Sequence, residues 1–159
     1  MSEDLQPRFQ PHAANEMASM FDDVSGRYDF LNRVMTLGQD GAWRQAMWNA
    51  VPGDARVVLD LCTGSGVSLS GLRRPGRTLL GMDVSFQMLE VAQAEMGTAG
   101  WAPRLACADA FHLPLRDGAL DAITVAFGVR NLRPRVTALT ELARAMRPGA
   151  TLVVLEASA

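Results

Sequence analysis

The chain has 159 residues, 48% of them hydrophobic, with 15 Lys and Arg against 17 Asp and Glu for a formal net charge of -2. That length suits one domain with one substantial core, and the near-neutral balance leaves no basic footprint for nucleic acid. No apolar run is long enough to span a bilayer, and Met1-Ser2-Glu3-Asp4 is acidic where a signal peptide is basic, so a cytoplasmic protein without a transmembrane segment is expected.

Residues 1–16 are polar and proline-punctuated and read as a flexible arm. The pattern then turns helical. Met17, Met20, Phe21 and Val24 share a face, and Tyr28, Leu31, Val34 and Met35 form a second stripe that Gly38 stops. Ala42 to Val51 carries Trp43, Ala46, Met47 and Ala50 along one side before Pro52-Gly53. These three helices, in residues 17–52, precede the first strand. They pack either as a cover over a ligand site or as an extension of the core, in one structural domain with residues 53–159.

Val57 to Leu61 reads as a buried parallel strand, and Gly64 and Gly66 in the Cys62-Thr63-Gly64-Ser65-Gly66 run read as a tight turn into a helix. Such a turn is where open α/β sheets bind nucleotides, because glycine allows a sharp bend and close approach of a ligand. Asp60 argues against a pyrophosphate, which it would repel, and suits the cationic amino-acid end of S-adenosylmethionine. The dinucleotide fingerprint also wants a glycine where this chain has Leu69.

A short helix to about Arg74, with Gly71 weakening it, ends at Pro75-Gly76. Thr78 to Met82 is the second strand, finishing at Asp83, where doubly wound folds place an acid on ribose hydroxyls. Ser85 is the better cap for the helix through Met96, which leaves Asp83 for a ligand. Arg104 to Ala108 is a third strand ending in Asp109-Ala110, an acid able to accept from an adenine amino group. Pro114 forces the following Phe111-His112-Leu113-Pro114-Leu115 into a loop. Leu120 to Phe127 is the fourth strand, with Gly128-Val129-Arg130-Asn131 at its carboxyl end. Pro134 opens a helix through Met146, Pro148-Gly149 stops it, and Thr151 to Leu155 is the fifth strand. Alternating strands and helices give an α/β parallel sheet of order 3-2-1-4-5. Cys62 and Cys107 have no paired spacing with His12 and His112, so they read as free core thiols, with no metal site.

With Asp60, Asp83 and Asp109 at successive strand ends, the chain resembles the class I, Rossmann-like S-adenosylmethionine-dependent methyltransferases. Met20-Phe21-Asp22-Asp23-Val24, Tyr28-Asp29-Phe30-Leu31-Asn32, Leu37-Gly38 and Trp43-Arg44 look like the N-terminal signature of the C-methyltransferases of menaquinone and ubiquinone biosynthesis. Leu113-Pro114-Leu115 and the more specific Phe127-Gly128-Val129-Arg130-Asn131 match that family's later motifs. The resemblance implies methylation of a ring carbon of a demethylated prenyl quinol at the membrane surface. It also implies a cofactor set of Asp60, Cys62, Gly64 and Gly66, then Asp83 and Val84, then Asp109, Ala110 and Phe127.

A sulfonium is already a strong alkylating agent, so most of the work is in-line placement of methyl and ring carbon. The ring carbon becomes nucleophilic when a neighbouring hydroxyl loses its proton. Arg130 is then the charge partner for the oxyanion, and Asn131 orients a hydroxyl or water. His112, Tyr28 and Asp29 are candidates for proton handling, and Met17, Phe21, Phe30 and Leu31 for an apolar corridor.

Two departures stand out. Val67 occupies the place of an acid that family members carry after the glycine turn, at the start of a helix shorter than usual. The family's chain also continues past the fifth strand with a helix and an antiparallel strand pair, which this sequence lacks. Thr151 to Leu155 is therefore expected to be an open edge able to pair with a second copy.

Overall fold

The computed structural model describes residues 40–102 and 104–157. Tyr28, Asp29, the expected corridor and the first two expected helices lie outside the described residues.

Five parallel strands form one sheet in the order β3-β2-β1-β4-β5, as the alternating pattern predicts. They are β1 (Val57–Leu61), β2 (Thr78–Asp83), β3 (Arg104–Cys107), β4 (Leu120–Ala126) and β5 (Met146–Leu155). Among the described residues four α-helices accompany them: α1 (Asp40–Ala50), ahead of β1, then α2 (Val67–Leu72), α3 (Phe86–Thr98) and α4 (Arg135–Ala145). In the sheet's centre Val58 pairs with Leu79 on one side and Ala122 on the other.

β1 is apolar apart from Asp60 because both sheet faces are covered. Leu59, Leu61, Ile123 and Val125 face Leu142, Ala138 and Ala145 of α4 together with Phe111 and Leu113. Val58, Leu79 and Ala122 face the other way, against Leu69 and Leu72 of α2, Met96 of α3 and Val51 just past α1. The sheet's amino ends are tied by Asp121. Its Oδ2 accepts from the amides of Arg56 at 2.7 Å and Val57 at 2.8 Å, while Oδ1 accepts from Arg147 Nε. The Val57 amide, foremost, holds this carboxyl below the usual carboxylate range.

Most element ends fall within two residues of the sequence reading, and the larger departures have physical reasons. α2 stops at Leu72 instead of Arg74, and its Gly71 has a packing reason. A Cβ there would lie 2.3 Å from Trp48 Cδ2, so only glycine lets α1 and α2 meet. α4 ends at Ala145, and β5 starts at Met146 and carries Pro148-Gly149 inside it. Proline costs β5 little because the strand lies at the sheet's edge, and a register shift between Leu120 and Ala122 absorbs the irregularity. Cys107, expected in the core, is exposed, and its Sγ donates to the Val84 carbonyl at 3.3 Å.

β5 is an open edge among the described residues, with Val154 45% exposed. Among them, no helix is long and apolar enough to cross a membrane.

Candidate functional site

The parallel register brings the carboxyl ends of β1, β2 and β4 to one rim of the sheet, and the turns leaving it carry unusual backbone. Cys62 (φ 55°), Gly64 (φ 54°) and Gly66 (φ 81°) follow β1, and Phe127 (φ 58°) follows β4. Positive φ at two non-glycine residues is held only where surroundings over-determine it, and such positions cluster at functional sites. Here the two turns interlock. A Cβ on Gly128 would stand 2.7 Å from Cys62 Cβ, and the Phe127 amide donates to the Leu155 carbonyl at 2.7 Å.

Asp60 sits beneath the β1 turn and is 2% exposed. Thr63 Oγ1 donates to its Oδ2 at 2.7 Å, and Thr124 Oγ1 donates to its Oδ1 at 2.6 Å. Burial pushes its carboxyl up from an ordinary 3.8 to about 6, against the lowering effect of both threonines and of Arg44. Both carboxylate oxygens are thus taken by threonine hydroxyls, and the charge is buried beneath the turn it braces. Thr63, absent from the sequence candidates, is the link between them; a hydroxyl three residues after a strand-end acid was the available signal.

The glycines also have a packing reason within the fold. A Cβ on Gly66 would meet Ala92 Cβ at 3.0 Å, and one on Gly64 would meet Met88 Cε at 3.2 Å. Both neighbours belong to α3, so the bare backbone admits that helix.

Asp83 holds the turn from the next strand. Its Oδ2 accepts from the Gly64 amide at 2.8 Å and its Oδ1 from the Ser85 amide at 2.9 Å. Ser85 caps α3 by accepting from the Met88 amide at 3.2 Å, as its position predicts. Both oxygens of Asp83 are therefore engaged with backbone. Val84, half-buried, follows it in the rim.

At the tip of β3, Asp109 Oδ1 accepts from the Phe111 amide at 2.9 Å, and Oδ2 lies 3.4 Å from His112 Nδ1. Ala110 is buried beside it. The loop holding His112 is clamped from α4. Glu141 Oε1 accepts from the Leu113 amide at 2.7 Å, while Arg144 donates to the carbonyls of Leu113 and Leu115.

After β4, residues Val129–Asn131 make one 3-10 turn, and the Asn131 amide donates to the Gly128 carbonyl at 3.0 Å. Arg130 is 40% exposed and pairs with Glu156, Nε to Oε1 at 3.6 Å, while its amide donates to Glu156 Oε2 at 3.2 Å. Glu156 went unnoticed in the sequence, where its only signal is an acid one residue beyond the last strand. Arg130 and His112 thus face two separate acids, Glu156 and Asp109. The Cys62 thiol is half-buried and shifted upward, by burial first and then by Asp83, Asp60 and Glu156, so it stays protonated and inert.

Arg44 is a third such residue, visible in the sequence only as part of the Trp43-Arg44 signature. It is 9% exposed on α1, and its Nη1 donates to Ser68 Oγ at 2.7 Å. Its guanidinium carbon stands 5.5 Å from the centre of the Phe127 ring. One helix before the sheet thereby reaches both turns of the rim.

A model of the ubiE/COQ5 methyltransferase family matches residues 10–159. The demethylmenaquinone methyltransferase of Thermobifida fusca is 41% identical over 145 residues, covering 90% of this chain and 61% of that protein. That of Mycolicibacterium vanbaalenii is 44% identical over 151 residues, covering 93% and 61%. The chain thus spans about three-fifths of the length of these curated relatives. Among solved structures, the complex between the Haloferax volcanii Trm112 methyltransferase activator and its methyltransferase matches with TM-score 0.69 and 26% identity, over 84% of this chain and 58% of that one. The [4+2]-cyclase SpnF matches with TM-score 0.73 and 21% identity, over 89% and 59%, a likeness of fold alone.

Proposed function

Because the chain belongs to the ubiE/COQ5 methyltransferase family, we propose that it takes part in S-adenosylmethionine-dependent methylation of a ring carbon of a demethylated prenyl quinol. The observation that carries this reading is the 41% identity to a demethylmenaquinone methyltransferase over 90% of the chain. It favours a naphthoquinol acceptor over the ubiquinol precursor.

The donor set fits the cofactor. Asp83 and Asp109 present carboxylates at neighbouring strand tips for ribose hydroxyls and an adenine amino group, and buried Asp60 supplies negative potential near a cationic amino-acid end. When bound, the cofactor supplies a sulfonium-activated methyl group. Arg130, half in solvent, holds the deprotonated quinol oxygen, and Glu156 fixes the guanidinium that does so. Asn131 orients a neighbouring hydroxyl or water. His112, paired with Asp109, belongs to the adenine side, and Tyr28 remains a candidate for proton handling. A lipophilic acceptor calls for the reaction to run at a membrane surface.

A second reading, a cofactor-binding module without turnover, is favoured by Val67, an exposed apolar residue at the start of α2. Calorimetric titration with S-adenosylhomocysteine, followed by methyl transfer to a short-chain demethylated naphthoquinol, separates the two. Removing charge-assisted hydrogen bonds costs about 2 to 3 kcal/mol, so Asp83→Ala should weaken the nucleoside by roughly thirtyfold to a hundredfold. Equal affinity in both proteins refutes the ribose assignment, and binding without turnover selects the module.

A further inference from the structure

A ring hydroxyl must give up its proton before its ring carbon can attack a methyl group. Arg130 cannot receive that proton, because a guanidinium has no acceptor atom and stays charged. Among the described residues, the other carboxylates of the rim are committed elsewhere. Asp60 has both oxygens on threonine hydroxyls, and Asp83 has both on backbone amides. Asp109 follows β3, at the edge of the sheet away from β5, and His112 faces it.

Glu156 is placed differently. It lies one residue past β5 and against Arg130, which sits in the 3-10 turn after the neighbouring strand β4. Its charge helps to push up the Cys62 thiol in the turn after β1, so it faces the stretch of rim where the β1 and β4 turns meet. What holds it is backbone. Oε2 accepts from the Arg130 amide and Oε1 from the Ala157 amide, each at 3.2 Å. The guanidinium is not bonded to it, since Arg130 Nε stands 3.6 Å from Oε1, beyond hydrogen-bond reach. Arg130, 40% exposed, can therefore turn to a ligand without pulling the carboxylate away.

Such a pair suits a neutral acceptor. If the proton of a quinol crosses to Glu156, the carboxylate becomes neutral as the ring oxygen becomes negative, and the net charge of the site does not change. A carboxylate that loses a neighbouring cation holds a proton more readily, and a phenolic hydroxyl that gains one releases its proton more readily. One turn of Arg130 from Glu156 to the ring oxygen thus favours transfer at both ends.

Resting on the quinol reading above, we infer that Glu156 is the base of the reaction, taking the proton of the acceptor's ring hydroxyl as Arg130 turns to the oxygen that loses it. The O–H bond breaks, and its electron pair stays on the oxygen, whose charge the ring carbon shares. That carbon bonds the methyl group while the methyl–sulfur pair remains on sulfur. The ring carbon then sheds its own hydrogen as a proton, and the ring oxygen regains the one held by Glu156. One proton leaves in all, as replacing hydrogen by methyl requires.

The test reads protons as well as turnover. 1-Naphthol carries a single such hydroxyl, and its naphtholate absorbs at longer wavelength than the neutral form. With S-adenosylhomocysteine present, wild type and Glu156→Gln are titrated with it at pH 7.5, below the range near about 10 where a free phenolic hydroxyl ionises. Absorbance reports the ionisation of the bound ligand, and calorimetry in buffers of differing ionisation enthalpy counts the protons released. Wild type should bind naphtholate and release almost no proton. Glu156→Gln should bind the neutral form, or release about one proton for each naphtholate bound. Neutral naphthol on wild type, a proton released by wild type, or a variant that behaves as wild type does overturns the inference. If the variant does not fold, the wild-type proton count alone decides. With a short-chain demethylated naphthoquinol, Glu156→Gln should lower kcat by about a hundredfold to ten-thousandfold at unchanged S-adenosylhomocysteine affinity, and an unchanged kcat overturns the inference. A chain that binds S-adenosylhomocysteine but no naphthol refutes the acceptor reading, and this inference with it.

Discussion

Asp60→Asn isolates the cost of a buried charge at the heart of the rim. The carboxyl is pushed up from 3.8 to about 6, chiefly by burial, with Thr63 and Thr124 opposing. A group that binds its proton more tightly when folded stabilises the fold while protonated, and that contribution is lost as pH rises through the folded value. Between pH 4 and 6 the folded chain holds this proton and the unfolded chain does not, so stability falls across that window and is level above it. The rise from 3.8 to about 6 corresponds to about 3 kcal/mol. Asparagine has the same shape, accepting from one threonine and donating to the other, whose hydroxyl rotates to suit. It carries no charge to bury. Urea unfolding of both proteins at fixed ionic strength should therefore show the variant gaining about 3 kcal/mol on wild type between pH 4 and pH 7.5. A difference independent of pH, or one that moves toward wild type as pH rises, would refute the reasoning. The same substitution should weaken S-adenosylhomocysteine, because it removes the negative charge beside the ligand's ammonium. Stability gained and affinity lost together would mark Asp60 as a residue kept for function at the expense of the fold.

Two further substitutions test how the rim is supported. Gly71→Ala gains about 1 kcal/mol of helix propensity, but its Cβ would lie 2.3 Å from Trp48, and overpacking of that kind costs about 1 to 3 kcal/mol. The thermal midpoint should fall by a few degrees, and a rise would show that α1 and α2 are not packed as described. Arg144→Leu removes the donors to Leu113 and Leu115 and the partner of Glu141. Amide exchange across 109–118 should quicken, and unchanged protection would mean that the loop is held by other contacts. The Arg144 hydrogen bond, foremost, holds the Glu141 carboxyl below the usual range. The clamp's contribution is therefore present at neutral pH and is lost as acid protonates Glu141 below that range.

What could be read along the chain was whatever neighbouring residues decide. Apolar runs at Val57–Leu61 and Leu120–Ala126, the Ser85 cap and the alternation of strands with helices are local properties, and with the handedness of crossovers they determine the sheet order. Strand-end acids were legible for the same reason, since the carboxyl end of a parallel strand is known as soon as the strand is. Where the signal failed, a distant residue made the difference. β5 begins at Met146 because Leu120 is there to pair with it. Gly66 is glycine because Ala92 comes close, and Gly71 because Trp48 does. Asp60 turns inward because Thr124 lies one strand away, Arg130 meets a carboxylate 26 residues on, and Arg44 loses its water to Ser68 and Phe127. Burial, charge pairing and orphaned donors are properties of what surrounds a side chain, and only chain closure assembles the surroundings.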